Sequence, residues 1–476
     1  MDYRLLGYTT PELSPEARWL LLQWSKNYGL DRAVFGPRLD LYKRLGISPK
    51  PAKRGLDLLE KGGYVIREAH PQKRGRPTVR FRLSPRFLHQ LRACTAPTTA
   101  HQPEIEELCR HAIRVRNEAA QNPLSGDHRA NRLTPATYYL LAVLLAHAET
   151  PGIVRNVSYW WLQVVTGMTK ERVISQLSKL EKIGAITHHE PGILKNGGEA
   201  RMRSVYYLGL NHPLLLGKDA TGLTAVIHPR AKPGSFTFLS GAYDAALVAI
   251  KLTENTTRIS KEIETIASSE QQEKQERNRS RAGRYGLSTW ISKAHRELYT
   301  AAHSLLPEIN PSKEGAEDFL QAHSLGFGPI VKAHIWAYAT MLLSNHWDDI
   351  EPWRKRGTIA PVMQAIRWDC STLVAKGSSS SPPHSEGSFL ALIYSLAHHI
   401  AVELQDTLKS LDPHAECDFS TAIFQIEPPN PHSSERWIVR ALFRQADGVT
   451  NRGNFLVPLH RVSLWLPKEL EVLQIQ

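Results

Sequence analysis

The chain contains the same sequence pattern twice, about 120 residues apart. Residues 45–66 align without a gap on residues 166–187 at a constant offset of 121, and residues 14–21 align on 134–141 at an offset of 120. Two separate blocks with nearly the same offset indicate one domain present in two copies. The matched pairs include Gly46/Gly167, Ser48/Thr169, Leu56/Leu177, Leu59/Leu180, Glu60/Glu181, Lys61/Lys182 and Gly63/Gly184.

Each copy begins with signals for a capped helix and a short second helix. Ser14 and Thr134 each precede a proline, which is the order of an N-cap followed by the first helical position. Apolar runs follow and predict a buried first helix in both copies. Gly46 and Gly167 suit the left-handed turn that ends a helix, so they predict the end of the second helix.

A third helix and a pair of strands complete each copy. Ser48 or Thr169 is expected to cap the third helix. Helical spacing puts three apolar residues on one face of it in each copy: Ala52, Leu56 and Leu59, or Val173, Leu177 and Leu180. A strand is expected next, then a turn rich in charge and glycine, and a returning strand over residues 78–83 or 203–208.

The motif over residues 56–65 and 177–186 resembles a known DNA-binding element. It reads Leu-x-x-Leu-Glu-Lys-x-Gly, then Tyr or Ala, then Val or Ile, and is similar to the recognition helix and first wing strand of bacterial winged-helix domains. The resemblance implies a third helix in the major groove and a wing on the phosphate backbone. Two such domains in one chain resemble the replication initiators of plasmids and genomic islands. The likeness covers roughly the first 210 residues.

Positive charge is concentrated in the first copy. The whole chain has 59 Lys and Arg against 46 Asp and Glu, a formal net charge of +13. Residues 43–86 contain 13 basic and three acidic residues, whereas residues 170–203 contain seven and four. Basic residues clustered on a recognition helix and wing are typical of phosphate contacts.

We predict that DNA contacts come from the third helix and the wing of each copy. In the first copy the candidates are Lys50, Lys53, Arg54, Lys73, Arg74 and Arg76. In the second they are Lys170, Arg172, Ser175, Gln176, Lys179, Lys195, Arg201 and Arg203. Arg172 suits guanine and Gln176 suits adenine. The resulting hypothesis is that the first copy supplies more affinity and the second more sequence readout, although a winged helix also serves as a protein-contact or dimerisation module.

The fold class expected is mainly α with small β wings. Residues 1–94 form the first winged-helix domain, 95–131 a linker with a short helix over 104–120, and 132–212 the second domain. Residues 213–286 form a second linker with a charged helix from about 242 to 284, read as a spacer or a short coiled coil. Residues 287–476 form an α-rich C-terminal domain with a terminal β element, whose strands are expected near 422–426, 437–443 and 455–459.

Other classes of site find little support in the sequence. The four cysteines, Cys94, Cys109, Cys370 and Cys417, have no metal-site or disulfide spacing. The sequence has no phosphate-binding loop, nucleophile elbow or His-Glu-x-x-His motif, so we expect no catalytic residues, no metal and no cofactor. The amino terminus lacks a signal-peptide pattern and we expect no membrane span, which predicts a cytoplasmic, nucleoid- or plasmid-associated bacterial protein.

Three functions therefore stay open at the level of sequence. The first is origin binding and replication initiation for a plasmid or integrated element, with double-stranded DNA as partner. The C-terminal domain would then contact host replication proteins or a second copy of the chain. The second is a transcription regulator with a C-terminal sensing or oligomerisation domain. The third is an interaction protein in which only the first winged domain touches DNA.

Overall fold

A computed structural model gives the architecture of the chain. It describes residues 1–10, 12–70, 78–97, 100–121, 133–155, 157–195, 200–215, 220–227, 247, 313–350, 358–374, 384–411, 418–427, 437–444, 461–464 and 471–473. The described part is mainly helical with small, mostly antiparallel sheets. It divides into two compact units, one made mostly of residues 1–192 and 203–222, the other mostly of 193–202 and 223–441.

The first copy folds into helices that are joined to a three-stranded sheet. Its elements in chain order are α1 Pro15–Tyr28, β1 Val34–Phe35, α2 Arg38–Arg44, α3 Pro49–Lys61, β2 Val65–His70, β3 Thr78–Leu83 and α4 Pro85–Arg92. The strand order is β1-β3-β2, and β3 pairs antiparallel with both neighbours. α1 packs across α3, and their apolar faces form the centre of this copy.

The second copy repeats this order after a connecting helix. The connection is α5 Gln102–Gln121, and the copy continues with α6 Pro135–Ala146, β4 Ile153–Val154, α7 Tyr159–Thr166, α8 Lys170–Lys182 and β5 Ile186–Glu190. A hairpin of β6 Ile193–Lys195 and β7 Ala200–Met202 comes before β8 Val205–Leu208. The sheet order β4-β8-β5 matches that of the first copy. The β6–β7 hairpin groups with the second compact unit.

The predicted caps are confirmed, with one difference. The Ser14 hydroxyl accepts from the backbone amide of Ala17, three residues into α1, and Thr134 and Thr169 cap α6 and α8 in the same way. Ser48 stands at the start of α3 but makes no such hydrogen bond. The third helical position there is Pro51, which has no N–H to donate.

The two copies pack together within the first unit. α1 lies against α6, and the Trp19 indole stacks on the Tyr138 ring with 5.3 Å between centroids. The buried Tyr139 hydroxyl donates to the carbonyl of Leu5 at 2.9 Å. The two copies therefore share an aromatic core contact and belong to one compact unit.

A buried arginine fixes the amino-terminal segment against α1. The Arg18 guanidinium donates to the carbonyl oxygens of Tyr8, Thr10 and Leu13, and its side chain is almost fully buried. Three carbonyl acceptors replace the water that a buried cation loses. This segment then contacts the second copy, because the carbonyl of Leu13 lies against the turn at Gly167.

Among the described residues of the second unit, four helices pack together. These are α9 Lys313–Ala322, α10 Gly328–Asn345, α11 Ala360–Val374 and α12 His384–Leu411, with α12 contacting each of the other three. β9 Ala220–Ile227, β10 Ile423–Glu427, β11 Trp437–Arg444, β12 Arg461–Leu464 and β13 Glu471–Leu473 form a sheet in the order β10-β11-β9-β12-β13. The predicted strand at 455–459 and nearly all of the charged helix at 242–284 lie outside the described residues.

One helix differs from the expectation that no segment has the length of a membrane span. Gly387–Asp406, within α12, is long and apolar enough to cross a membrane by length and composition. About 65% of its most apolar stretch is buried inside the structure. Core helices of soluble proteins pass the same test, so this helix is weak support for a membrane location.

Candidate nucleic-acid interface

The outer face of α3 is basic. Ala52, Leu56 and Leu59 are buried, as predicted, and the helix turns the other side to solvent. Lys50, Lys53 and Arg54 are all exposed there. The 3.6-residue period forces this division, because the basic residues fall between the apolar ones. Three cationic side chains therefore project from one short helix.

The two carboxylates of α3 are engaged by a residue of α2. Arg38 Nη1 lies 2.9 Å from Asp57 Oδ1, and its Nη2 lies 2.8 Å from Glu60 Oε1. The guanidinium thus ties α2 to α3 and offsets the acidic charge close to the basic face. An ion pair of this kind is partly exposed and stabilises the fold only modestly, so its larger effect is on the local potential.

The strands of the first copy continue the basic surface as far as the structure describes them. Arg80 and Arg82 on β3 lie beside Glu68 on β2, and the Arg80 guanidinium also lies 5.4 Å from the Phe35 ring centroid. The wing candidates Lys73, Arg74 and Arg76 lie outside the described residues.

Two candidates for base readout in the second copy pair with side chains of other helices in the first unit. The Arg172 guanidinium donates to the Glu16 carboxylate on α1. The Gln176 amide oxygen accepts from the Thr137 hydroxyl on α6 at 2.6 Å. Both side chains point from α8 toward α1 or α6, the first helices of the two copies. Both therefore help to hold these helices together. The remaining candidates on α8 divide into exposed Lys170 and Ser175 and half-buried Lys179.

The other candidates of the second copy lie in or beside the β6–β7 hairpin. Lys195 ends β6, where it pairs with Ala200, and Arg201 on β7 pairs with Leu194. Arg203 follows the hairpin and is exposed. The hairpin therefore holds Lys195 and Arg201 in strands, whereas the sequence suggested an open wing loop.

A half-buried histidine on β5 contacts the last turn of α8. The His189 ring on β5 stacks on Tyr206, and its Nδ1 lies 3.1 Å from Glu181 Oε1. Burial lowers the pKa of His189 to about 4 and raises the pKa of Glu181 above its ordinary value. Desolvation outweighs the attraction expected of an ion pair, so the histidine is neutral at neutral pH and its N–H donates to the carboxylate.

Sequence reasoning missed the exposed apolar side chains near the second and third helices. Trp160 near the start of α7 is 70% exposed and Ile174 on α8 is 44% exposed. At the offset of 121, Trp160 corresponds to Leu39, which is also exposed, and Ile174 corresponds to Lys53. Aligning the two copies could have revealed Ile174, because the outer position that holds lysine in the first copy holds isoleucine in the second.

The second unit contains a buried polar cluster between α10 and α11. The Tyr338 hydroxyl donates to Asp369 Oδ2 at 2.8 Å, and His334 Nδ1 lies 3.4 Å from the same oxygen. Hydrogen bonds join the Tyr338 hydroxyl, His334 Nδ1 and Asp369 Oδ2, as in a core network, whereas His334 Nε2 is buried without a hydrogen-bond partner in the part of the chain that the structure describes. Among the described residues, no group of three or more His, Cys, Asp or Glu side chains is arranged to hold a metal ion.

Comparisons with known proteins give no relative for this chain. No protein-family model matches it, and searches of curated proteins and of solved structures return no match.

Proposed function

We propose that this chain binds double-stranded DNA through two winged-helix domains, with α3 and α8 as the recognition helices. The repeated order of three helices and a small antiparallel sheet supports the domain assignment. The α-rich C-terminal region is then a separate domain, and its five-stranded sheet includes β9 Ala220–Ile227 from the segment that was expected to be a linker. In such domains a recognition helix enters the major groove and the strands approach the backbone.

The observation that carries the proposal is the exposed basic face of α3. Lys50, Lys53 and Arg54 point to solvent together, while Arg38 pairs with the two carboxylates on the same helix. A face of this kind attracts phosphates and releases counterions on binding. Clusters of like charge are also common on solvated surfaces, and the helix's position in the repeated fold is what favours DNA.

The biological role we propose is origin binding and replication initiation for a plasmid or integrated element in a bacterial cytoplasm. Two linked DNA-binding domains fit a two-part or repeated site. The C-terminal domain would recruit host replication proteins or mediate self-association. The alternative role is a transcription regulator, whose C-terminal domain senses a ligand or oligomerises.

Selection of binding sites from random duplex DNA tests the proposal directly. The full chain is expected to enrich a defined site, and a variant with Lys50, Lys53 and Arg54 changed to alanine should bind that site much more weakly. A control variant, Arg367→Ala, removes one exposed cation from α11 and should bind as the unmodified chain does; the single variants of Lys50, Lys53 and Arg54 are the ones matched to it in charge.

The results of site selection distinguish DNA recognition through α3 from the alternatives. Enrichment that depends on the α3 residues supports DNA recognition through the first domain. Absence of any enriched duplex contradicts the proposal. Retention of full affinity by the triple variant would move the contact surface away from α3. Mapping the enriched site to direct repeats near replication genes, or to a promoter, then distinguishes initiator from regulator.

A further inference from the structure

The outer faces of the two recognition helices differ in chemistry at equivalent positions. Lys50, Lys53 and Arg54 of α3 correspond, at the offset of 121, to Glu171, Ile174 and Ser175 of α8. All six residues are exposed. The first helix therefore presents three cations, and the second presents one carboxylate, one apolar side chain and one hydroxyl. The second helix is poorly suited to phosphates along this face.

Hydrogen bonds and an ion pair engage several neighbours of Ile174 on α8. Glu171 bonds its own backbone amide and the Thr169 hydroxyl, which lowers the pKa of its carboxyl and ties it to the helix start. Arg172 and Gln176 are held by α1 and α6. The middle of the helix thus presents Ile174 and Ser175 outward.

An exposed isoleucine on its own has no special meaning, since single apolar side chains are common on protein surfaces. The position of Ile174 on α8 distinguishes it from such isolated side chains. The apolar residues that hold α8 in place, Val173, Leu177 and Leu180, are fully or almost fully buried, whereas Ile174 is 44% exposed and lies outside that core face. It stands in the central turns of the helix that the proposed function directs into the major groove.

We propose that Ile174 contacts the 5-methyl group of a thymine, so that the second domain selects A·T pairs at one or two positions. In the major groove the thymine methyl is the apolar group by which bases are distinguished, and apolar side chains recognise it by contact. The proposal rests on the proposed function. It also gives the two domains different tasks, because phosphate contacts position a protein and base contacts specify the sequence.

The test replaces thymine by uracil, which pairs identically but lacks the methyl group. The duplex recovered by site selection is synthesised with deoxyuridine at one thymine at a time, and binding of the full chain is measured. Loss of the methyl contact should weaken binding about fourfold at one or two positions, the ratio expected for burying one methyl-sized group. Ile174→Ala should bind the thymine and uracil duplexes equally, and Ile174→Val should keep part of the discrimination.

A matched variant in the first domain completes the test. Lys53→Ala changes the equivalent position of α3, and we expect it to lower affinity for both duplexes by the same factor. If the chain enriches a site but Ile174→Ala discriminates thymine from uracil as before, or if no thymine in the site responds, the inference is wrong and DNA binding stands. If no duplex is enriched, the inference and the proposed function fail together.

Discussion

The indole of Trp19 and the ring of Tyr138 stack with their planes 16° apart and their centroids 5.3 Å apart. Trp19 belongs to α1 and Tyr138 to α6, the first helices of the two repeats, and both side chains are buried. Offset-stacked aromatic pairs contribute beyond the area they bury. We therefore expect the two repeats to stabilise each other, which two domains joined only by a flexible linker would not do.

A double-mutant cycle on this pair measures that dependence. Trp19→Ala should lower the free energy of unfolding by about 3–5 kcal/mol, as for a large core side chain. Tyr138→Ala combined with it should show a coupling energy of about 0.5–1.5 kcal/mol by denaturant unfolding. Phe87, whose ring contacts Tyr8 and Tyr64, serves as the control partner for Trp19. Equal coupling in both cycles would contradict a specific contact between the repeats.

The turn at Gly167 is expected to tolerate no side chain. Its φ is +68°, and an added Cβ would lie 2.0 Å from the carbonyl oxygen of Leu13. Gly184 has a similar φ of +78°, but its added Cβ would meet nothing nearer than His212 at 3.9 Å. Gly184→Ala should therefore cost about 1–2 kcal/mol for the backbone alone.

Gly167→Ala should cost at least about 3 kcal/mol, because a clash is added to the same backbone strain. Urea unfolding of both variants checks the difference. Equal destabilisation would show that the amino-terminal segment moves away from the turn at little cost.

Stability should fall on mild acidification because of His189. Burial lowers its folded pKa to about 4, while the unfolded side chain takes up a proton near pH 6.5. The unfolded state therefore binds more protons between these values, and stability is lost as the pH falls from 6.5 toward 4. The loss between pH 7.5 and 5.5 should be about 1.4 kcal/mol.

The comparison variant is His189→Phe, which keeps a ring beside Tyr206 and cannot be protonated. Its unfolding free energy should change less over the same range, by the amount attributed to His189. The range ends at pH 5.5 because burial raises the pKa of Glu181, and protonation of that carboxyl acts in the opposite direction near its own pKa. An unchanged pH dependence in the variant would place the proton uptake elsewhere.

The local elements of the fold were predictable because their signals are local. The N-caps at Ser14, Thr134 and Thr169 and the turn at Gly167 depend on residues within one helical turn of each other. The helix expected over residues 104–120 is found as Gln102–Gln121. The cap expected at Ser48 lacks its hydrogen bond, because Pro51 at the third helical position has no N–H to donate.

The site was less predictable because it depends on contacts between distant residues. Arg172 is 156 residues from Glu16, and no periodicity reveals that this arginine is engaged. Gln176 is likewise 39 residues from Thr137. Helical spacing separated the buried from the outward positions of α8 correctly, but the partners of half-buried polar side chains are set by packing between helices. Ile174 was overlooked because it is apolar, although it is exposed.

Neutralising the basic face of α3 should reduce the salt dependence of DNA binding. Each phosphate contact lowers the slope of log K against log salt concentration by about 0.9. If Lys50, Lys53 and Arg54 all contact phosphates, their replacement by alanine should reduce the magnitude of that slope by about 2.7 in total. The single variants should each contribute about 0.9. Binding to one fixed duplex at several salt concentrations gives the slopes.

Two control variants show whether a change in the salt slope is specific to the basic face of α3. Arg367→Ala removes one exposed cation from α11 and controls for net charge in the single α3 variants, so its slope should equal that of the unmodified chain. Ile174→Ala removes no charge, and it should leave the slope unchanged even where it alters the choice of site. If the basic face acts only through the overall field of the protein, each single α3 variant and Arg367→Ala should show the same small change in slope. That result would contradict direct phosphate contact by α3.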